Sequence, residues 1–155
     1  MNRSVTLTPV PERDRLALDA MAIAYFSEIL PDGPRYYPAL LDRYWIEPGR
    51  HPYLINLDGL PIGFALVWNH KDGLHELAEF TIQPAHRHKG IGTEAAQLVF
   101  NTLGGDWTLG VARESPGGMA FWQHCLEACE NACDITQGPP KTAQQVGSYR
   151  FRILR

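Results

Sequence analysis

The stretch "EFTIQPAHRHKGIGTEAA", Glu79–Ala96, decides how the rest of the chain is read. It opens as a strand closed by Pro84, and it turns helical after two glycines, Gly90 and Gly92, spaced by one residue. Between strand and glycines lie His86, Arg87, His88 and Lys89. The first backbone N–H groups of a helix lack partners and carry about half a positive charge through the helix dipole, so a corner of this kind suits a phosphate. Glycine at 90 and 92 keeps β-carbons away from an approaching oxygen, while Arg87 and Lys89 supply mobile positive charge. The competing reading is a loop of solvated charges beside an ordinary turn.

Two phosphate motifs fail here. A P-loop needs lysine directly after its last glycine, and Thr93 stands there. The dinucleotide fingerprint G-x-G-x-x-A is matched by "GIGTEA", and Glu114 follows about twenty residues later. In that fold, however, the strand runs almost directly into the first glycine, whereas "AHRHK" intervenes here. The unit also begins past the middle of the chain and leaves too few residues for a doubly wound sheet.

Outward from the corner, the pattern on the amino-terminal side is a strand, "SVTLTPV", then helical spacing from Pro11-Glu12 to about Ile29 carried by Leu16, Ala20, Ile23 and Ala24. Pro31, Gly33 and Pro34 break that helix, "YYPALLDRYW" resumes as a short one, and Pro48-Gly49 stops it. "YLINL" and "IGFALVW" flank Asp58-Gly59, a hairpin signal, and "LHELAEFTIQP" adds a third consecutive strand. On the other side, "GTEAAQLVFNTL" is a helix stopped by Gly104-Gly105 and "WTLGVAR" is a strand. "PGGMAFWQHCLEAC" is a helix started by Pro116, and "SYRFRIL" is a closing strand. The expectation is one α/β domain spanning 1–155, with no linker or repeat.

Composition narrows the function classes. The 155 residues include 45% hydrophobic and 20% charged side chains, ordinary globular values that exclude a disordered or fibrous chain. A net charge of −3 argues against a general nucleic-acid binder. The amino terminus, "MNRSVTLTPVPERDRL", has no continuous apolar segment, so a cytoplasmic protein without a membrane partner is expected. Three cysteines, Cys125, Cys129 and Cys133, exclude a disulfide framework by number. Their spacing of four places them on one helix face, where packing is a simpler role than metal binding, and no metal is expected.

With Arg87-x-x-Gly90-x-Gly92 placed after "EFTIQP", the chain resembles the GNAT superfamily of N-acetyltransferases, and the order of elements fits that plan along its whole length. The resemblance implies a mixed sheet of about six to seven strands flanked by about four helices, with splayed fourth and fifth strands. It implies that acetyl-coenzyme A is the co-substrate, its pyrophosphate wrapped by the backbone of Arg87, His88, Lys89, Gly90, Ile91, Gly92 and Thr93. It also implies that Phe80, Thr81 and Ile82 pair with the pantetheine arm, with an N–H near Ile82 as oxyanion donor. The acceptor is a small-molecule or peptide amine; a homodimer is left open.

Acyl transfer to an amine needs positioning, an oxyanion donor and a base, because an ammonium with a pKa of about 10 is not nucleophilic at neutral pH. Glu76 and Glu79 are the candidate bases, and strict alternation sends them to opposite faces of the strand, so one of them faces the cleft. Two positions depart from the family pattern. Ser115 stands where many members carry asparagine, and it either bonds the pantetheine or caps the following helix. Trp122 stands where many carry tyrosine; an indole N–H is too weak an acid to protonate a thiolate, so Phe121 and Trp122 are walls of the thioester pocket. These departures keep a second reading open, a coenzyme A-binding module without chemistry.

Overall fold

The computed structural model describes residues 3–32, 38–115 and 117–155. The expected breaks at Gly33 and Pro34, the aromatics Tyr36 and Tyr37, and the helix start at Pro116 lie outside them.

Strand β1 (Val5–Pro9) leads through a 3-10 turn into helix α1 (Leu16–Ile29), and a further 3-10 turn (Pro38–Leu41) leads into the four-residue helix α2 (Arg43–Ile46). Strands β2 (Arg50–Leu57), β3 (Leu60–Asn69) and β4 (His75–Ile82) form an antiparallel meander. Asp58 and Gly59 both hold positive φ, 51° and 85°, the requirement of the two-residue turn whose twist matches a hairpin. Helix α3 (Ile91–Leu103), strand β5 (Gly105–Ala112), helix α4 (Gly118–Ala128) and strands β6 (Ala132–Gly138) and β7 (Gln145–Ile153) complete the chain.

The seven strands run in the order β1-β2-β3-β4-β5-β7-β6, and β4 and β5 are the parallel pair, joined by the α3 crossover. That pairing is confined to His75–Leu77 against Trp107–Leu109, beyond which the two strands splay. Strand β3 alternates Phe64 and Leu66 toward α1 and α2 with Ala65 and Val67 toward α3 and α4, so it is buried on both faces and reads as an unbroken apolar run. On the α3 and α4 face, Phe100, Trp107 and Phe151 pack edge to face around centroid separations of 4.9 and 5.2 Å.

Three expectations are corrected. Glu76 and Glu79 do not lie on opposite faces: Glu76 sits opposite Trp68 and Glu79 opposite Leu66, with Ala78 inserted as a bulge between them. One extra residue restores the phase, so both carboxyls point to the α1 and α2 side. The cysteines do not share a helix face, because α4 ends at Ala128 and Cys133 belongs to β6, a strand that the sequence pattern does not announce. The residues that carried the α1 periodicity, Leu16 and Ile23, are exposed, while Leu18, Met21 and Ala22 are buried; the helix is apolar on both sides.

Candidate active site

The splay of β4 from β5 opens a cleft of about 570 Å³. Its walls are Leu77–Phe80 of β4, Leu109–Ala112 of β5 with the following Arg113–Ser115, the carboxyl end of α1 from Tyr25, Trp122 of α4, and the segment Thr142–Gln145 before β7. An unpaired strand edge in a cleft leaves backbone N–H and C=O groups open to a ligand that carries amides of its own.

Glu79 is the carboxyl on the β4 wall of the cleft. Burial lifts its pKa to about 7, against the hydrogen bond from Tyr25, which lowers it; the charge of Glu76 adds a smaller upward push. The Tyr25 hydroxyl donates to Glu79 Oε2 at 2.5 Å. Burial and the facing carboxylate hold that phenol well above its ordinary value, so it stays a donor. Tyr25 is itself fixed by edge contacts with Phe26 and Phe64 at 5.0 and 5.4 Å. Glu76 stands elsewhere, with its Oε1 2.8 Å from His70 Nε2, and it does not border the cleft.

At the glycine corner, Gly90 adopts φ +79° as the residue before α3, and no side chain caps the helix. Glu94 N–H bonds back to Gly90 at 3.2 Å, which leaves the amides of Ile91, Gly92 and Thr93 without helical acceptors. His88 also holds positive φ, 63°, and turns the loop. Arg87 is not the mobile charge expected: its Nη1 and Nη2 each donate to Glu28 of α1 at 2.7 Å, and its Nε donates to the Ile82 carbonyl at 2.7 Å. Lys89 is exposed. A second guanidinium, unforeseen in the sequence, reaches the corner from the amino terminus: Arg3 Nη1 donates to the Lys89 carbonyl at 2.6 Å.

Packing leaves little room for a side chain at Gly92. A β-carbon there would stand 3.0 Å from Phe121 Cε1 and 3.1 Å from Cζ. Phe121 therefore backs the α3 turn and stacks on Phe80 at 6.3 Å, while Trp122 lies edge-on to Phe80 at 5.3 Å and borders the cleft. Thr81 and Ile82 are buried beside the corner. Ser115 borders the cleft, and of the two roles open to it in the sequence the helix cap is not seen, because the residue before α4 is Gly117 and no side chain caps that helix. Tyr25 and Glu28 gave no local signal, because their partners lie 54 and 59 residues away in sequence.

The sequence profile of the acetyltransferase (GNAT) family matches residues 16–126, from α1 through α4. The chain belongs to the GNAT acetyltransferase family. Solved members share its fold: an acetyltransferase from Thermus thermophilus superposes with a TM-score of 0.71 at 17% identity over 97% of both chains. An aminoglycoside acetyltransferase AAC(6')-Ib in complex with coenzyme A has a TM-score of 0.67 at 18% identity, over 97% of this chain and 95% of that one. The spermidine N-acetyltransferase of Vibrio cholerae, bound to coenzyme A and spermine, has a TM-score of 0.66 at 16% identity over the same shares, 97% and 95%. No curated protein sequence matches the chain. No helix among the described residues is long and apolar enough to cross a membrane.

Proposed function

We propose that this GNAT protein acts as a single-domain, acetyl-coenzyme A-dependent N-acetyltransferase, with Glu79 as the base that takes the proton from the acceptor ammonium. The observation that carries the reading is a carboxyl of pKa about 7 on the wall of a cleft that an unpaired strand edge opens. A base of that pKa is half ionised at neutral pH and matched to its task. The amides of Ile91, Gly92 and Thr93 receive the pyrophosphate, and the edge from Phe80 to Ile82 supplies donors for the pantetheine arm and the thioester oxygen. Glu79 accepts one proton from the ammonium, the amine nitrogen bonds to the thioester carbon, the carbon–sulfur bond breaks to release a thiolate, and the nitrogen sheds its second proton to solvent to leave the neutral amide. With a thiol pKa of about 8.5 the thiolate leaves without a protein acid, and solvent protonates it. Tyr25 holds the Glu79 carboxylate in place, and Ser115 and Trp122 border the arm. Coenzyme A-bound solved members of the family support the choice of co-substrate.

The test is release of thiol from acetyl-coenzyme A over a panel of amines, for the wild type and Glu79→Gln. Amine-dependent release that falls at least a hundredfold in Glu79→Gln supports the reading. Coenzyme A binding without release for any amine replaces it with a binding module that lacks chemistry.

A further inference from the structure

Glu79 borders two cavities. On its far side from β5 lies a second hollow of about 360 Å³, between α1, α2 and the β2-β3-β4 surface, and it shares Phe26, Leu30, Ala78 and Glu79 with the cleft. A substrate amine presented to Glu79 from this side would leave the rest of its molecule here. The hollow is walled by Leu41, Leu66, Tyr44 and Trp68, and among the described residues its only charged side chains besides Glu79 are Arg43 and Arg50.

Arg50 is fixed against its neighbours rather than left in solvent. Its guanidinium lies 4.0 Å over the Trp68 ring and 5.2 Å from that of Tyr44, and its side chain is 6% exposed. One carboxylate oxygen, Glu47 Oε2, takes both Nε and Nη2, at 3.1 and 3.0 Å, which leaves N–H donors of a five-donor fork unused. Burial pushes the Tyr44 phenol up, and the charge of Arg50 together with a side-chain hydrogen bond from it works against that push, so Tyr44 engages a further donor of the fork. Arg43 is exposed at the rim and has no ion pair among the described residues. Arg43, unpaired among those residues, and the spare donors of Arg50, whose charge Glu47 already balances, form the complement of an anion in a hollow that is apolar apart from Glu79 and the Tyr44 hydroxyl, and Arg43 opposes a second positive charge on the acceptor.

We infer that the acceptor is an amine with an apolar body and an anionic group, in its simplest form a carboxylate, and that Arg43 and Arg50 receive that group while the amine meets Glu79. The inference rests on the reading of Glu79 as the transfer site. It separates this chain from relatives whose solved complexes hold spermine or kanamycin, acceptors with several amines.

Two matched pairs of amines test it: L-phenylalanine against phenethylamine, and 6-aminohexanoate against hexylamine, with spermidine as the polycation. The expected result is a kcat/KM at least tenfold higher for the acid in one pair or both, with spermidine poorest. Arg43→Gln, a substitution at an exposed position, lowers the acid's kcat/KM at least tenfold, mainly through KM, and thermal denaturation checks that it folds. Equal turnover of acid and matched amine, or preference for spermidine, overturns the inference and leaves the transfer reading standing. Calorimetry of the two acids on coenzyme A-loaded protein separates the other case. Binding that Arg43→Gln weakens tenfold, without any acetyl transfer, supports the anion pocket and sinks the role given to Glu79. Failure of both acids to bind or turn over overturns the inference.

Discussion

Arg87 donates both terminal nitrogens to the carboxylate of Glu28 at 2.7 Å, tying the glycine corner to the carboxyl-terminal half of α1. The bidentate geometry holds Glu28 below the usual carboxylate range, chiefly through the hydrogen bonds from Arg87. Both side chains are about 30% exposed, so solvent screens the pair and its worth is about 1 kcal/mol. Glu28→Gln and Arg87→Gln should each lower the melting temperature by a few degrees, and the double variant should be little worse than either. Because the folded pKa of Glu28 is depressed, this contribution is present above the unfolded carboxylate value and fades as pH falls through the folded one. Denaturation of the three variants at about pH 7 and about pH 3.5, on either side of an ordinary glutamate pKa, checks it; additive losses would mean the two residues act apart.

Activity should rise with pH through about 7, since Glu79 must be ionised to accept a proton and burial has raised its pKa to about 7. Tyr25→Phe removes the hydrogen bond that favours the ionised form, so the midpoint of the kcat/KM profile should move to higher pH. A profile that is unchanged in Tyr25→Phe would detach the phenol from the base.

Gly92→Val should fail in two separable ways. Its side chain would press on Phe121, which a virtual β-carbon already meets at 3.0 Å, at an overpacking cost of about 1–3 kcal/mol. It would also crowd the corner's amides. Combining it with Phe121→Leu should restore the melting temperature and leave coenzyme A affinity low, as calorimetry would read; recovery of affinity as well would mean that the glycine serves packing alone.

Trp122 is buried against Phe80, Phe100 and Phe121, and among the described residues its indole N–H has no hydrogen-bond acceptor. Trp122→Phe should keep turnover within tenfold, since at most a hydrogen bond of about 1 kcal/mol is lost. Trp122→Ala should lose about 3–5 kcal/mol of stability and weaken coenzyme A binding with it. A hundredfold loss of turnover in folded Trp122→Phe would give the indole N–H a chemical role.

Elements with strong periodicity or turn residues are legible in the sequence: the meander around Asp58-Gly59, α3 between its glycines, and the strand that stops at Ile82, two residues short of Pro84. Strand β6 is not, because "ACDITQG" lacks alternation, Asp134 takes φ 54° within it and its pairing to β7 slips between Cys133 and Thr136. The shared face of Glu76 and Glu79 is hidden for a related reason: a bulge at Ala78 changes the phase of a strand without changing its composition. The partners of Arg87 and Glu79 come from α1, and no spacing within the local motif announces a residue more than fifty positions away.

The sheet has a seam. Four strands on one side and three on the other meet through three paired positions, His75–Leu77 with Trp107–Leu109, while neighbouring pairs such as β5 and β7 are matched from end to end. A ligand that lays its amides along the open part of this seam would act as an extra rung between two half-sheets, so occupancy and mechanical stiffness would rise together. Saturating coenzyme A should slow amide hydrogen exchange most at Ala78–Ile82 and Gly110–Ala112, the stretches that flank the gap, and least along the β1 and β2 edge, which the gap does not reach.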